Sequence, residues 1–381
     1  MGPWAVQAAA EHRVTAPAAP HRQDIQGLRA IAILLVLVHH ARLPGLPGGF
    51  LGVDMFFVIS GYLMAGLIDN RLNSGIFTLK DFYARRIRRL FPAAYATLTL
   101  TALAAPWLLD SVEYGKFVKQ LAGSFAFVVN VVLWKQTDYF STAAELKPLL
   151  HMWSLAVEEQ FYLTFPLLIA VMGGRTKLLV GTLIAICVGC LLWRLHIVHH
   201  GAPFGFHQSD NSLHPYTYCA SDARMDSIAY GCLTAVLFHR FAYRLKGMFA
   251  CWSAIGIAGA LVIVSLILRD ADFRETYRYS LQGLAMVCLF YGLFGDSAGL
   301  AVRLLEMPVM RKMGVLSYGA YLWHLEPVNA YYWWSGTKMM AADTTTKLIM
   351  IVVGFAFTYA MAQLSFTMTT PLRNLRSRFH S

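Results

Sequence analysis

Apolar positions in this chain fall in long blocks rather than in alternation. The stretches 50–68, 178–192, 252–268 and 349–364 are free of Asp, Glu, Lys and Arg apart from Asp54. Each approaches the length of about 20 helical residues that a hydrocarbon core requires. They are rich in Leu, Ala, Val and Gly and lack a period of two, so they predict membrane helices and argue against a β-barrel. Eleven apolar segments stand out, at 26–42, 50–69, 92–109, 117–134, 151–172, 177–198, 225–240, 250–268, 280–295, 313–333 and 346–366.

Basic residues between these segments set the expected orientation, because loops rich in Lys and Arg stay on the cytoplasmic side. Arg71, Lys80 and the Arg85–Arg89 run mark the 70–91 loop as internal. So do Arg175 with Lys177, Arg240 with Arg244 and Lys246, Arg303 with Arg311 and Lys312, and Arg373 with Arg376 and Arg378. All these loops share one side only if 92–134 makes a single net crossing. The expectation is ten full spans with both termini cytoplasmic, plus one partial, tilted or re-entrant segment within 92–134. A flexible cytoplasmic tail is expected at 1–21, a membrane domain at 22–370 and a basic cytoplasmic tail at 371–381. The longest outer loop is expected at 199–223, with His199, His200, His207, Asp210, His214 and Asp222.

Composition agrees with this picture. Of 381 residues 57% are hydrophobic and 14% charged, against roughly 25% charged in a soluble domain. The predicted fold is all-α, a polytopic transmembrane bundle. A net charge of +11 would suggest nucleic acid in a soluble protein. Here the charges orient helices, so no nucleic-acid partner is expected. Six cysteines are present, five of them in or at the ends of apolar runs, and they read as small packing residues.

Ionisable groups inside membrane helices are expensive and mark functional sites. Arg29 and His40 lie eleven residues apart on one face of the first helix, about 16 Å apart along its axis. Asp54 opens a wholly apolar run and needs a partner, with Arg42 or His40 as candidates. Arg85, Arg86, Arg88 and Arg89 form an anion site at a membrane edge. Positive-inside anchoring or anionic-lipid binding is the plainer alternative. Ser154, Glu158 and Tyr162 share a face of the 151–172 helix, where a carboxylate could hold an imidazole in one tautomer. His324 follows a Tyr- and Trp-rich stretch that also fits an aromatic belt.

These motifs together resemble the acyltransferase 3 family of membrane acyltransferases. The resemblance runs from Arg22 nearly to the C-terminus. It rests on Leu28-Arg29-Ala30-Ile31-Ala32 with His40; on Gly52-Val53-Asp54 through Ser60-Gly61-Tyr62; on Arg86-x-x-Arg89 before Pro92; on Trp153-Ser154-Leu155-x-x-Glu158-x-Gln160-Phe161-Tyr162; and on Ser317-Tyr318 with Trp323-His324. It implies transfer of an acetyl or short acyl group from cytoplasmic acyl-CoA to a hydroxyl of a cell-surface or lipid-linked saccharide. Some members act on macrolides or other small molecules. Arg29 and His40 match the family's essential first-helix pair, Arg86 and Arg89 its Arg-x-x-Arg motif, and Glu158 its carboxylate. One departure is visible: where the family often has Glu-x-Pro, this chain reads Thr369-Thr370-Pro371. Some members add an extracytoplasmic esterase-like domain, and none is expected within these residues.

The resemblance implies that His40 acts as base or acyl carrier, oriented by Asp54 or Glu158. Acetyl-CoA, the expected co-substrate, would dock on Arg29, Arg85, Arg86, Arg88 and Arg89. Tyr162, Trp153, His324, Arg224 and Asp226 are the candidate substrate contacts, the last two placed at the end of the outer loop. No metal is expected, and the expected location is the bacterial inner membrane. The rivals are a secondary transporter using Arg29, Asp54 and Glu158, and a metal enzyme using His196, His199 and His200.

Overall fold

A computed structural model describes residues 22–41, 48–136, 147–172, 175–201, 215–241, 246–295, 299–336 and 341–374. The 1–21 tail, Arg42, the loop residues His207, Asp210 and His214, and the tail beyond Asn374 lie outside the described residues. The apolar runs fold as helices, and no strand forms among the described residues. In chain order the helices are α1 (Asp24–His40), α2 (Leu51–Asn73), α3 (Leu79–Leu108), α4 (Ser111–Phe125), α5 (Val129–Lys135), α6 (Met152–Met172), α7 (Thr176–His200) and α8 (Pro215–Cys219). There follow α9 (Ser221–Arg240), α10 (Met248–Ile267), α11 (Ala271–Glu275), α12 (Tyr277–Phe294), α13 (Gly299–Leu305), α14 (Pro308–Trp323), α15 (Glu326–Ser335) and α16 (Thr344–Asn374).

Five of these, α2, α6, α7, α10 and α16, are long and apolar enough to cross a membrane, with a sixth only where the bent pair α12–α13 counts as one span. Length and apolarity therefore do not establish the ten crossings expected above. The shortfall has a physical origin. At 17 and 16 residues, α1 and α14 fall short of the roughly 20 that span hydrocarbon. Helix α9 carries Asp222, Arg224, Asp226 and Arg240, which an enclosed helix can face toward partners. The helices grade from centre to rim: the apolar window of α2 is 78% buried, those of α10 and α16 only 22% and 17%.

Helix α9 holds the centre through paired charge. Arg194 of α7 and Asp226 meet at 2.7 Å, both fully buried. Arg194 also donates to Ser280 Oγ and to the carbonyls of Ala223 and Thr276, which satisfies its fork across α7, α9 and α12. Arg240 meets Asp69 of α2 at 2.7 Å, and Arg224 pairs with Asp54 of α2. Between those two pairs α2 and α9 cross with backbones in contact. A Cβ on Gly61 would lie 2.0 Å from the Ile228 carbonyl oxygen, and one on Gly231 would lie 1.9 Å from that of Val58. Only glycine permits this approach.

Three local expectations need correction. The Arg85–Arg89 run is helical rather than part of a 70–91 loop, because the Thr78 side chain caps α3 by accepting from the Asp81 amide. Asp81 then pairs with Arg85 one turn on. The 225–240 segment begins earlier, at Ser221, so Arg224 and Asp226 are buried inside α9 instead of ending a loop. Segment 313–333 breaks at His324–Leu325 into α14 and α15. Within 92–134 the chain breaks twice, at 109–110 between α3 and α4 and at 126–128 between α4 and α5. There Phe127 takes φ +52°, a left-handed conformation unusual for a bulky residue. Its carbonyl accepts from Gln160 Nε2 at 2.8 Å, and its ring packs on Phe91.

Replacing Gly231 with valine is expected to destabilise the bundle by about 3 kcal/mol, since neither backbone can retreat. Thermal unfolding in detergent should show a clearly lowered Tm. An unchanged Tm would mean that α2 and α9 do not touch here.

Candidate active site

Helices α2, α3, α6 and α14 enclose a cavity of about 400 Å³, with Arg29 of α1 reaching into it. Its lining follows α2 from Val53 to Leu67, about 21 Å along a helix axis. Its walls combine Arg29, Arg85, Arg86, Arg88 and Arg89 with the apolar side chains of α2 and with Ser154, Tyr318 and Tyr321. Arg86 stands at the level of Ser60, since both reach Glu158.

All four arginines of α3 line it, but they are not equivalent. Arg85 is taken by Asp81. Arg86 grips Glu159 with Nε at 3.0 Å and Nη2 at 2.7 Å, reaches Glu158 at 3.3 Å, and lies 3.0 Å over the Tyr162 ring. Such a bidentate fork is rigid and fully committed. Arg88 and Arg89 are exposed and make no hydrogen bond or ion pair with the described residues. Arg29 donates to Ser317 Oγ at 3.1 Å from the facing wall.

Glu158, placed by its sequence spacing beside Ser154 and Tyr162, does line the cavity with them. It accepts from Ser60 Oγ at 2.8 Å as well as from Arg86, and Tyr162 donates to the Ser60 carbonyl at 3.2 Å. Asp54 stands elsewhere: it accepts from Arg224 and from Ser227 Oγ. Trp153 packs on Tyr218 and Phe57 in that same neighbourhood. Asp226 serves Arg194. Thr369 and Thr370, standing where the family often has Glu-x, turn their hydroxyls onto their own helix carbonyls at 2.8 and 2.7 Å.

Next to Ser154 and Tyr321 lies a row of imidazoles. Ser154 Oγ and Tyr321 Oη are 2.6 Å apart. The Tyr321 ring packs on His324 at 5.0 Å and on His151 at 5.7 Å. His324 in turn meets His40 edge-on at 4.8 Å and His151 at 5.2 Å. Nδ1 of His40 lies 2.9 Å from the Val36 carbonyl and Nδ1 of His324 lies 2.6 Å from that of Tyr321. A carbonyl only accepts, so Nδ1 carries a proton in both rings, and in the neutral form of each ring Nε2 is the acceptor. His151 is a residue that sequence inspection missed. It sits just ahead of the Trp-Ser-Leu motif, and only the folded chain brings it onto His324. Among the described residues no cluster of His, Cys, Asp or Glu could hold a metal ion.

A family model described as an acyltransferase domain matches residues 22–366. The O-acetyltransferase OatA of Staphylococcus aureus strain NCTC 8325 is 31% identical over 370 residues, which cover 92% of this chain and 57% of that protein. A putative O-acetyltransferase of Staphylococcus aureus strain COL is 30% identical over 361 residues, with the same coverage of 92% and 57%. The chain thus spans little more than half the length of these curated relatives. No solved structure matches it. With a family model running over nearly its whole length, the chain belongs to the acyltransferase 3 family.

Proposed function

We propose that the protein is a multi-pass membrane O-acyltransferase that takes an acetyl or short acyl group from cytoplasmic acyl-CoA and places it on a hydroxyl of a cell-surface or lipid-linked saccharide at the outer face of a bacterial inner membrane. One observation carries this reading: a cavity that follows α2 for about 21 Å is lined both by Arg88 and Arg89, which make no hydrogen bond or ion pair with the described residues, and by Tyr321, whose ring packs on His324 of the imidazole row. A phosphorylated head with a long thin arm matches that shape. Its phosphates suit Arg88 and Arg89, and its arm suits the apolar wall from Leu67 to Val53. The relatives' names, which include O-acetyltransferase, favour acetyl as the group moved.

In this mechanism His40 Nε2 takes the proton of the acceptor hydroxyl and the oxygen attacks the thioester carbonyl. The carbon–sulfur bond breaks, the ester forms, and the proton passes to the thiolate to give CoA-SH. The Nδ1 contact to Val36 keeps the lone pair on the reacting nitrogen. The same lone pair could instead accept the acyl group first. Labelled acetyl-CoA without acceptor separates the routes, because only the second leaves label on the protein. Arg86 holds Glu158 and Glu159 in place, so its role is to shape the wall rather than to bind phosphate.

The ten-crossing arrangement follows if α1, α2, α3, α6, α7, α9, α10, α12, α14 and α16 each cross, with α4 and α5 as the partial segment. Both termini are then cytoplasmic.

Three outcomes are expected. His40→Ala should lower transfer by at least about a hundredfold while acyl-CoA still binds; wild-type rates in that variant would rule the mechanism out. Arg89→Ala should raise KM for acyl-CoA by about tenfold with little change in KM for the acceptor, as steady-state kinetics with either substrate varied will show. Cysteines placed at 175 and 244 should resist an impermeant maleimide applied from outside, and labelling there would overturn the orientation.

A further inference from the structure

Arg278, the second residue of α12, is a buried cation with no direct ion pair among the described residues; the nearest opposing charge it feels is Asp54, which Arg224 already binds. Arg278 is 3% exposed. Its Nη2 donates to Tyr279 Oη at 3.2 Å, its Nε has no hydrogen-bond partner, and no carboxylate reaches ion-pair distance among the described residues. Two aromatic rings flank it, Phe50 at 4.6 Å and Tyr279 at 5.0 Å. Tyr279 leads directly to a second guanidinium, Arg224, at 3.8 Å. Arg224 is 1% exposed and commits only Nη2 to Asp54, leaving Nε and Nη1 without partners. Three guanidinium nitrogens therefore stand unpaired within one aromatic neighbourhood that also holds Trp153 and Tyr218.

The contrast with Arg194 is informative. That residue is equally buried, yet its donors reach Asp226, Ser280 and two carbonyls. Burying a guanidinium without such partners is strongly unfavourable. A site that leaves donors free in this way is complementary to an oxyanion. The neighbourhood also connects to the imidazole row: Phe50, which covers Arg278, packs edge-on to His39 at 6.3 Å, and His39 to His40 at 5.3 Å. It lies apart from the acyl-CoA cavity, whose lining includes neither Arg224 nor Arg278.

We propose that Arg278, backed by the free N–H groups of Arg224, binds an oxyanion of the acceptor, so that the acceptor is an acidic saccharide bearing a carboxylate or phosphate near the hydroxyl that is acylated. This rests on the acyl-transfer reading above and deepens it by naming the acceptor class. The guanidinium offers the charge-assisted hydrogen bond. A neutral sugar would leave Arg278 buried and unpaired, so the site discriminates against it as well as selecting for its acidic counterpart.

The test uses the full chain in detergent and three oligosaccharides of equal length and linkage: one neutral, one with a uronic acid and one with a phosphate. Transfer from acetyl-CoA should favour an acidic acceptor by at least about tenfold in kcat/KM, and the better of the two acids identifies the anion. In Arg278→Gln that preference should collapse toward unity, and Arg278→Lys should recover part of it. Equal kcat/KM on neutral and acidic acceptors in the native protein would overturn the proposal, whether or not the variants fold. Calorimetric binding of the same saccharides needs no acyl donor. A binding preference without any transfer would refute the acyltransferase reading and keep the site; transfer without preference would do the reverse.

Discussion

Inside lipid every full charge needs a partner, and this bundle is organised around meeting that demand. Helix α9 brings Arg224, Asp226 and Arg240 into the centre, and each is matched: by Asp54 and Asp69 of α2 and by Arg194 of α7. Removing one member of such a pair leaves its mate stranded in low dielectric, which costs several kcal/mol. The pairs therefore fix which helices touch and in what register. The glycine contact between α2 and α9 follows from them, because ion pairs above and below draw the two backbones together.

The α2–α9 core leaves the opposite face of α2 free to line a cavity with α3, α6 and α14. One helix thus serves two environments. On one side Asp54 faces Arg224; on the other Ser60 binds Glu158. The reacting groups proposed here sit on the margin between these environments, at the end of α1 and in the break between α14 and α15. The break follows His324, which keeps helical φ and ψ at the end of α14. It leaves the Tyr321 carbonyl available to hold the ring.

Much of this was legible in the chain, and the rest was hidden for identifiable reasons. Helical periodicity put Ser154, Glu158 and Tyr162 on one face, and they do share a wall. It put Arg29 and His40 on one stripe, and they border the cavity and the imidazole row respectively. Periodicity reports faces, however, not partners. Asp54 pairs with a residue 170 positions away, a choice made by the α2–α9 contact. The four arginines of α3 look interchangeable in sequence; Asp81, Glu158 and Glu159 divide them into two committed and two free. His151 carried no periodic signal at all, since it precedes its helix and acquires meaning only beside His324.

The 2.6 Å contact between Ser154 and Tyr321 has a bearing on bioenergetics. A membrane protein with a deep cavity on one side and polar groups continuing toward the other is a potential short circuit for the proton gradient. Water threading such a path would conduct. In this structure a phenol hydrogen-bonded to a serine, with the rings of Phe56, His151 and His324 packed on it, occupies that path, so side chains rather than open space lie on the route.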